Sequence, residues 1–189
     1  SCYEGGLSYE CDPLFTLCLG RPTSDTCSYG TAKATKDFHN TNYINMASLS
    51  DINGIPNPWI VYISYLTEPS VRLTITVEDA DPGFDDYMAS FVINLSVPSV
   101  STNAWSTYEL TEQISYRISF QYRFVCDLNY YGQLCDKYCI LQNKSGGHYW
   151  CEAGTGKKIC LEGWKGSNCA EDVDECAQGY CAKGTCQNL

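Results

Sequence analysis

The stretch Cys126–Cys169, CDLNYYGQLCDKYCILQNKSGGHYWCEAGTGKKICLEGWKGSNC, decides how the rest of the chain is read. It places six cysteines in 44 residues, with few long apolar runs between them. A segment so short buries too little apolar surface to hold itself, so cross-links must supply part of its stability. Three disulfides over short loops would contribute about 3 kcal/mol each. Six cysteines allow fifteen connectivities, and spacing alone does not choose among them. Zinc is the alternative use for such a set. Structural zinc sites favour closely spaced ligand pairs, yet no C-x-x-C pair occurs and the nearby histidine is His148 alone.

Outward from this block, the chain has 189 residues, thirteen cysteines and a formal net charge of −10. That length suits one mid-sized domain with smaller modules. The cysteine content implies an oxidising, extracellular setting. No apolar run is long enough to span a membrane. The chain starts at Ser1 with neither an initiating Met nor a signal peptide, so it is read as a mature or trimmed fragment, with room for an anchor beyond Leu189. The acidic balance argues against a nucleic-acid partner.

Residues 1–125 hold four cysteines, all before Ser28, whereas residues 126–189 hold nine. About 125 residues can build an unaided hydrophobic core. Val71, Leu73, Ile75 and Val77 alternate with Arg72, Thr74, Thr76 and Glu78, the period of a half-buried strand. From Ile114 to Phe124 the same alternation puts Ile118, Phe120 and Tyr122 on one face and Arg117, Ser119 and Gln121 on the other. Trp59–Leu66 and Met88–Val97 are richer in apolar residues and are expected as inner strands. Turn formers separate these runs at Asn53-Gly54, Pro56-Asn57-Pro58 and Asp81-Pro82-Gly83. The expectation is a mainly β chain: an antiparallel β-sandwich, then a compact disulfide module.

The run Tyr122-Arg123-Phe124-Val125-Cys126-Asp127, then Tyr130-Tyr131-Gly132, Gly147-His148-Tyr149 and Gly163-Trp164-Lys165-Gly166, resembles the DSL domain of Delta/Serrate-type Notch ligands. Cys11-Asp12-Pro13-Leu14-Phe15-Thr16-Leu17-Cys18 and Cys27-Ser28-Tyr29-Gly30 look like the opening of the C2-like domain that precedes DSL in that family. Asp172-Val173-Asp174-Glu175-Cys176 resembles the start of a calcium-binding EGF module, with three of its six cysteines present. The resemblance implies three modules: a C2-like sandwich at 1–125, a DSL domain at 126–169 and a truncated EGF-like module at 170–189. It implies the pairs Cys2–Cys11, Cys18–Cys27, Cys126–Cys135, Cys139–Cys151, Cys160–Cys169 and Cys176–Cys186, leaving Cys181 over. It also implies EGF calcium ligands at Asp172, the Val173 carbonyl, Glu175 and Asn188.

Other candidate sites carry a plain alternative. Asp79, Asp81, Asp85 and Asp86 cluster in one strand connection, where C2 domains hold calcium; the alternative is a solvated acidic loop, because one loop rarely supplies a full calcium shell. If calcium binds there, the resemblance implies phospholipid contact by the same loops. Asn94-Leu95-Ser96 and Asn143-Lys144-Ser145 are N-glycosylation sequons, and Asn94, within an expected strand, has to face outward to be used. The histidines are His39 and His148, and neither stands in a nucleophile–base pattern. His148 is expected to be a packed loop residue, Trp164 to pack on a disulfide, and the protein not to be an enzyme.

The resemblance implies receptor contact through the loop after the third DSL cysteine, which in the family carries arginines and an aromatic residue before Gly-His-Tyr. Here Ile140, Leu141 and Gln142 stand in place of the arginines and Gly146 in place of the aromatic. The expected function is a Notch ligand fragment that engages Notch EGF modules on a neighbouring cell, from the ectodomain of a single-pass surface protein. The alternatives are a secreted DSL protein acting as co-ligand or antagonist, and an adhesion module that does not bind Notch.

Overall fold

The computed structural model describes residues 3–4, 7–8, 11–39, 41, 43–81, 85–98, 104–112 and 116–177. The described residues form strands, turns and coil without a helix, the mainly β, disulfide-rich class expected from the sequence. The chain divides into two compact units, Ser1–Val97 with Trp105–Arg123 and Pro98–Ala104 with Phe124–Leu189.

The first unit opens on a short antiparallel pair, β1 (Tyr3–Glu4) and β2 (Leu7–Ser8). Its body is a four-stranded antiparallel sheet of β3 (Pro13–Gly20), β4 (Gly30–Lys33), β7 (Ser70–Ala80) and β8 (Asp85–Ser96), in the order β4-β3-β7-β8. Between β4 and β7 lies the small pair β5 (Asp51–Ile52) and β6 (Ile55–Pro56). The period-two run in β7 buries Val71, Leu73, Ile75 and Val77, which pair in register with Leu95, Ile93, Phe91 and Ala89 of β8. The intervening residues face outward, and Asn94 is exposed as its sequon requires. Leu14 turns to the other side of β3, where it joins Ala34 and Ile55 in a smaller cluster with Phe15, Trp59 and Ala80 packed against it.

Cys18 and Cys27 are bonded across the turn from β3 to β4. Gly20 allows that turn to close, because a Cβ there would collide with the Thr26 carbonyl. The guanidinium of Arg72 reaches from β7 to Asp25 in the same turn at 2.6 Å.

Two strand expectations need correction. Trp59–Leu66 is not a strand. Trp59, Val61 and Ile63 are half-buried, but Ile60, Tyr62 and Tyr65 are 65%, 86% and 62% exposed. An apolar run needs cover on both faces to sit inside a sheet, and this one is covered on one, where Trp59 and Val61 lie beside Gly30. Of the run Met88–Val97, residues 88–96 lie within β8 and Val97 just past its end, and β8 stands at one end of the sheet order rather than inside it; the interior places belong to β3 and β7.

The unit ends in a hairpin of β9 (Ser106–Glu112) and β10 (Tyr116–Tyr122), paired from Tyr116↔Glu112 to Tyr122↔Ser106. Ile118, Phe120 and Tyr122 are half-buried and Arg117, Ser119 and Gln121 exposed, with Phe120 stacked on Tyr108 at 5.7 Å. The strand expected to run to Phe124 ends at Tyr122, although the alternation continues with Arg123 exposed and Phe124 half-buried; residues 114–115 lie outside the described residues.

The second unit is built from short pieces. β11 (Tyr130–Tyr131) pairs with β12 (Lys137–Tyr138). β13 (Gln142–Lys144), β14 (Gly147–Cys151) and β15 (Lys158–Cys160) make a three-stranded antiparallel sheet in that order. β16 (Trp164–Lys165) pairs with β17 (Glu171–Asp172). Its buried centre is Cys139, Tyr149 and Cys169, with Tyr131, Cys151, Cys160 and Trp164 packed around it.

Candidate functional site

The cysteine pairs of the second unit are Cys126–Cys135, Cys139–Cys151 and Cys160–Cys169, with Cα separations of 5.3, 6.0 and 5.2 Å, inside the usual disulfide range. Cys11 and Cys176 are also disulfide-bonded, to partners outside the described residues. Cys2, Cys181 and Cys186 lie outside the described residues.

These bonds fix the segment between Cys139 and Cys151 at both ends, and β13 and β14 fix its middle. Lys144 pairs with Gly147, so the hairpin closes on the two residues Ser145 and Gly146. Gly146 has φ +118°, a conformation that side chains resist. Its neighbour Gly147 is buried, and a Cβ there would lie 2.7 Å from both the Asn168 carbonyl and the Tyr149 ring.

The residues of Gly-His-Tyr are all engaged in packing. His148 lies opposite Asn143 in register, and its Nδ1–H donates to Asn143 Oδ1 at 2.6 Å; the carboxamide oxygen can only accept, which sets the tautomer. The imidazole stacks on the indole of Trp164 at 3.5 Å. Tyr149 is buried, and its hydroxyl donates to Gln142 Oε1 at 3.1 Å. His148 is thus a packed residue, and Trp164 packs on it as well as on the disulfide-centred cluster.

Of the four expected contact residues, Ile140 and Leu141 are 47% and 68% exposed. They line an open groove of about 480 Å³ with Tyr138, Gln142, Lys144, Tyr149 and Lys158. Gln142 is half-buried with its oxygen given to Tyr149, so it buttresses the groove more than it presents itself. Gly146 lies at the hairpin tip and does not line the groove. Tyr138, 59% exposed, lies against Tyr130 with ring centroids 5.1 Å apart, extending the apolar surface. Beside it, Lys137 donates to Asp136 at 2.9 Å, and that hydrogen bond holds the Asp136 carboxyl below its ordinary value.

Asp79 and Asp86 are register partners across β7 and β8, with Asp85 opposite Ala80, but no three of Asp79, Asp81, Asp85 and Asp86 bring their ligand atoms together. Asp79 is buried in β7 and accepts the backbone N–H of Asp12 at 2.7 Å, whereas Asp85 and Asp86 are exposed at the start of β8. Among the described residues, the one group of three with converging ligand atoms is Asp12, Asp37 and His39. His39 Nδ1 lies 3.1 Å from Asp12 and 3.8 Å from Asp37, an exposed ion pair when the ring is protonated. Sequence reading missed this group because Asp37 and His39, two apart in one segment, are joined by Asp12 from a distant one.

Of the EGF calcium set, Asp172 is exposed in β17 opposite Trp164, the Val173 amide donates to Gly163 at 2.8 Å, and Glu175 is half-buried. Asn188 lies outside the described residues. Asn143 is exposed on β13, between Gln142 and Lys144.

A family model described as "Delta serrate ligand" matches residues 126–172. Protein jagged-1 of Homo sapiens is 30% identical over 178 residues, which are 90% of this chain and 14% of that protein. Neurogenic locus protein delta of Drosophila melanogaster is 28% identical over 180 residues, 90% of this chain and 21% of that protein. Delta-like protein C of Danio rerio is 44% identical over 57 residues, 30% of this chain and 8% of that protein. The chain therefore spans between 8% and 21% of the length of these relatives. The solved "Structure of Drosophila C2-DSL-EGF1" aligns at a TM-score of 0.58 and 23% identity, covering 92% of this chain and 75% of that one; this likeness speaks for the fold, a C2-like β domain followed by a disulfide-rich DSL module. Taken with the disulfide module, these similarities identify residues 126–172 as a Delta serrate ligand (DSL) domain, in a chain that is similar over 90% of its length to jagged and delta proteins.

Proposed function

We propose that this chain is the receptor-binding region of a Notch ligand, made of a C2-like domain at 1–125, a DSL domain at 126–169 and the start of a calcium-binding EGF-like module at 170–189. It works outside the cell as part of a surface ectodomain and engages EGF modules of Notch on a neighbouring cell. Its role is binding and force transmission rather than catalysis. Pulling on the bound ligand exposes the receptor's cleavage site, and a series of stapled modules suits this because each disulfide resists extension of its loop.

The observation that carries the reading is the exposure of Ile140 and Leu141 beside Tyr138, on a segment anchored at both ends by the Cys139–Cys151 bond. Apolar side chains held rigidly in solvent lose little freedom on binding and gain from burial. Similarity to jagged and delta proteins over 90% of the chain supports the assignment of the partner. Asn143 falls between Gln142 and Lys144 on β13, so by strand alternation a glycan on it stands on the face opposite the groove and flanks the site rather than covering it.

The test is surface plasmon resonance of the deglycosylated chain against a recombinant fragment of Notch EGF modules. Wild type binds, and Ile140→Ala with Leu141→Ala weakens binding by about 2 kcal/mol or more, the size of a lost interface anchor. Tight binding left untouched by the double change would show that this loop is not the contact face. No binding at all would remove the receptor assignment.

A further inference from the structure

Two lysines of different strands stand at the groove that holds the apolar pair. Lys144 is exposed on β13. Lys158 is held on β15, where its ammonium lies 4.7 Å from the Tyr149 ring centroid and donates to Asn168 Oδ1 at 2.8 Å. Both of those neighbours are neutral, so the position of the Lys158 charge is fixed and the charge is not neutralised. Among the described residues neither lysine forms an ion pair, whereas Lys137, on the adjoining ladder, is taken up by Asp136. No acidic residue is among the described residues lining the groove. The whole chain carries 22 acidic residues against 12 basic ones, so this face opposes the charge of the chain that bears it.

We infer that the groove takes a receptor segment in which an acidic side chain stands beside an apolar one. The apolar group covers Ile140, Leu141 and Tyr138, and the carboxylate sits between Lys144 and Lys158. This rests on the receptor-binding reading above and adds to it the chemistry of the partner segment. The carboxylate gives register and encounter rate, because opposite charges steer approach and penalise a displaced or like-charged partner. The apolar contact sets the lifetime of the complex, since most affinity differences between related complexes lie in dissociation. Lys158 is pre-positioned by Tyr149 and Asn168, so less side-chain freedom remains to be lost when the carboxylate arrives.

The experiment measures association and dissociation of the deglycosylated chain on the same Notch EGF fragment, across a range of salt concentrations. The variants are Lys144→Glu, Lys144→Glu with Lys158→Glu, and Ile140→Ala with Leu141→Ala. The paired charge reversal is expected to slow association by roughly tenfold or more at low salt and to remove most of the salt dependence. Lys144→Glu alone gives a smaller shift in the same direction. It is exposed on β13 and makes no packing contact at the unit's centre, so it keeps the test valid if the Lys158 change disturbs the Tyr149 packing. The apolar double change is expected to raise the dissociation rate and leave the salt dependence in place. If the apolar change weakens binding while both charge reversals leave the association rate and its salt slope as in wild type, the inference is overturned and the contact-face reading stands. If none of the variants alters binding, both fail.

Discussion

In the first unit the larger group of buried side chains, Val71, Leu73, Ile75 and Val77 with Ala89, Phe91, Ile93 and Leu95, lies on one face of a long antiparallel ladder. In the second they are Cys139, Tyr149 and Cys169, with further cystine sulfur and aromatic rings packed around them. The first arrangement needs long strands in register, and β7 and β8 run to 11 and 12 residues. The second has strands of two to five residues and fixes their ends covalently. A sheet core gains its stability from apolar area and loses it one methylene at a time. A cystine core gains much of it by restricting the unfolded chain. The units should therefore respond to different perturbations, and the contrast can be broken or sharpened by experiment.

The largest effect is expected at Phe91, which is 2% exposed in β8. Phe91→Ala should cost about 3–5 kcal/mol, and hydrogen exchange should show lost protection across β3, β7 and β8 with the second unit unchanged. Next is Cys139→Ser with Cys151→Ser, at about 2–5 kcal/mol. Here exchange should rise across 126–172 while β7 and β8 keep their protection. Equal loss in both units, from either change, would show that they unfold as one and would end the comparison.

Gly147→Ala tests how rigid the cystine core is. The new methyl would meet the backbone of Asn168 as well as the Tyr149 ring, and neither can yield while the disulfides hold. A cost of about 1–3 kcal/mol in thermal or denaturant unfolding is expected, the range for overpacking a tight site. The smallest effect belongs to Lys137→Ala. With its hydrogen-bonding partner gone, the Asp136 carboxyl should return upward toward its ordinary value, as read by an NMR titration. A carboxyl lowered in the folded state stabilises above its unfolded pKa and loses that contribution as pH falls through the folded one. Any stability difference between this variant and wild type is therefore fully present above pH 3.8, the ordinary value from which Asp136 is lowered, and fades as the pH falls below it.

Much of this was legible in the residues, and unevenly so. The alternation in β7 announced a half-buried strand because one face of that ladder is wet, and the hairpin strand β10 was readable for the same reason. β3, PLFTLCLG, gave no such pattern, because both its faces are partly covered in the middle of the sheet. The run Trp59–Leu66 misled in the opposite direction: apolar composition looked like an inner strand, but three of its large apolar side chains, Ile60, Tyr62 and Tyr65, are left in solvent. The pairing of the cysteines followed from family resemblance and not from spacing. At the contact face, Ile140 and Leu141 were visible from the sequence. Lys158 was not, since it comes to the groove from a strand fourteen positions beyond Lys144. The stack of His148 on Trp164 was hidden for the same reason, whereas the inward turn of Asp79 continues the alternation of β7.

The turn at Gly146 also bears on how this loop can change over generations. An aromatic residue at this place would have to adopt φ +118° with its Cβ 3.3 Å from Gln142 Nε2. A single codon change there damages the hairpin before it adds any contact. A lineage can gain a ring at the tip only by first shifting the turn, for instance by placing glycine or asparagine at the neighbouring position so that the strained conformation moves off residue 146. The two substitutions are worth something together and little apart, which makes them epistatic. Variation open to selection one step at a time lies instead at Ile140, Leu141 and Lys144, whose side chains stand in solvent on backbone that most residues can adopt.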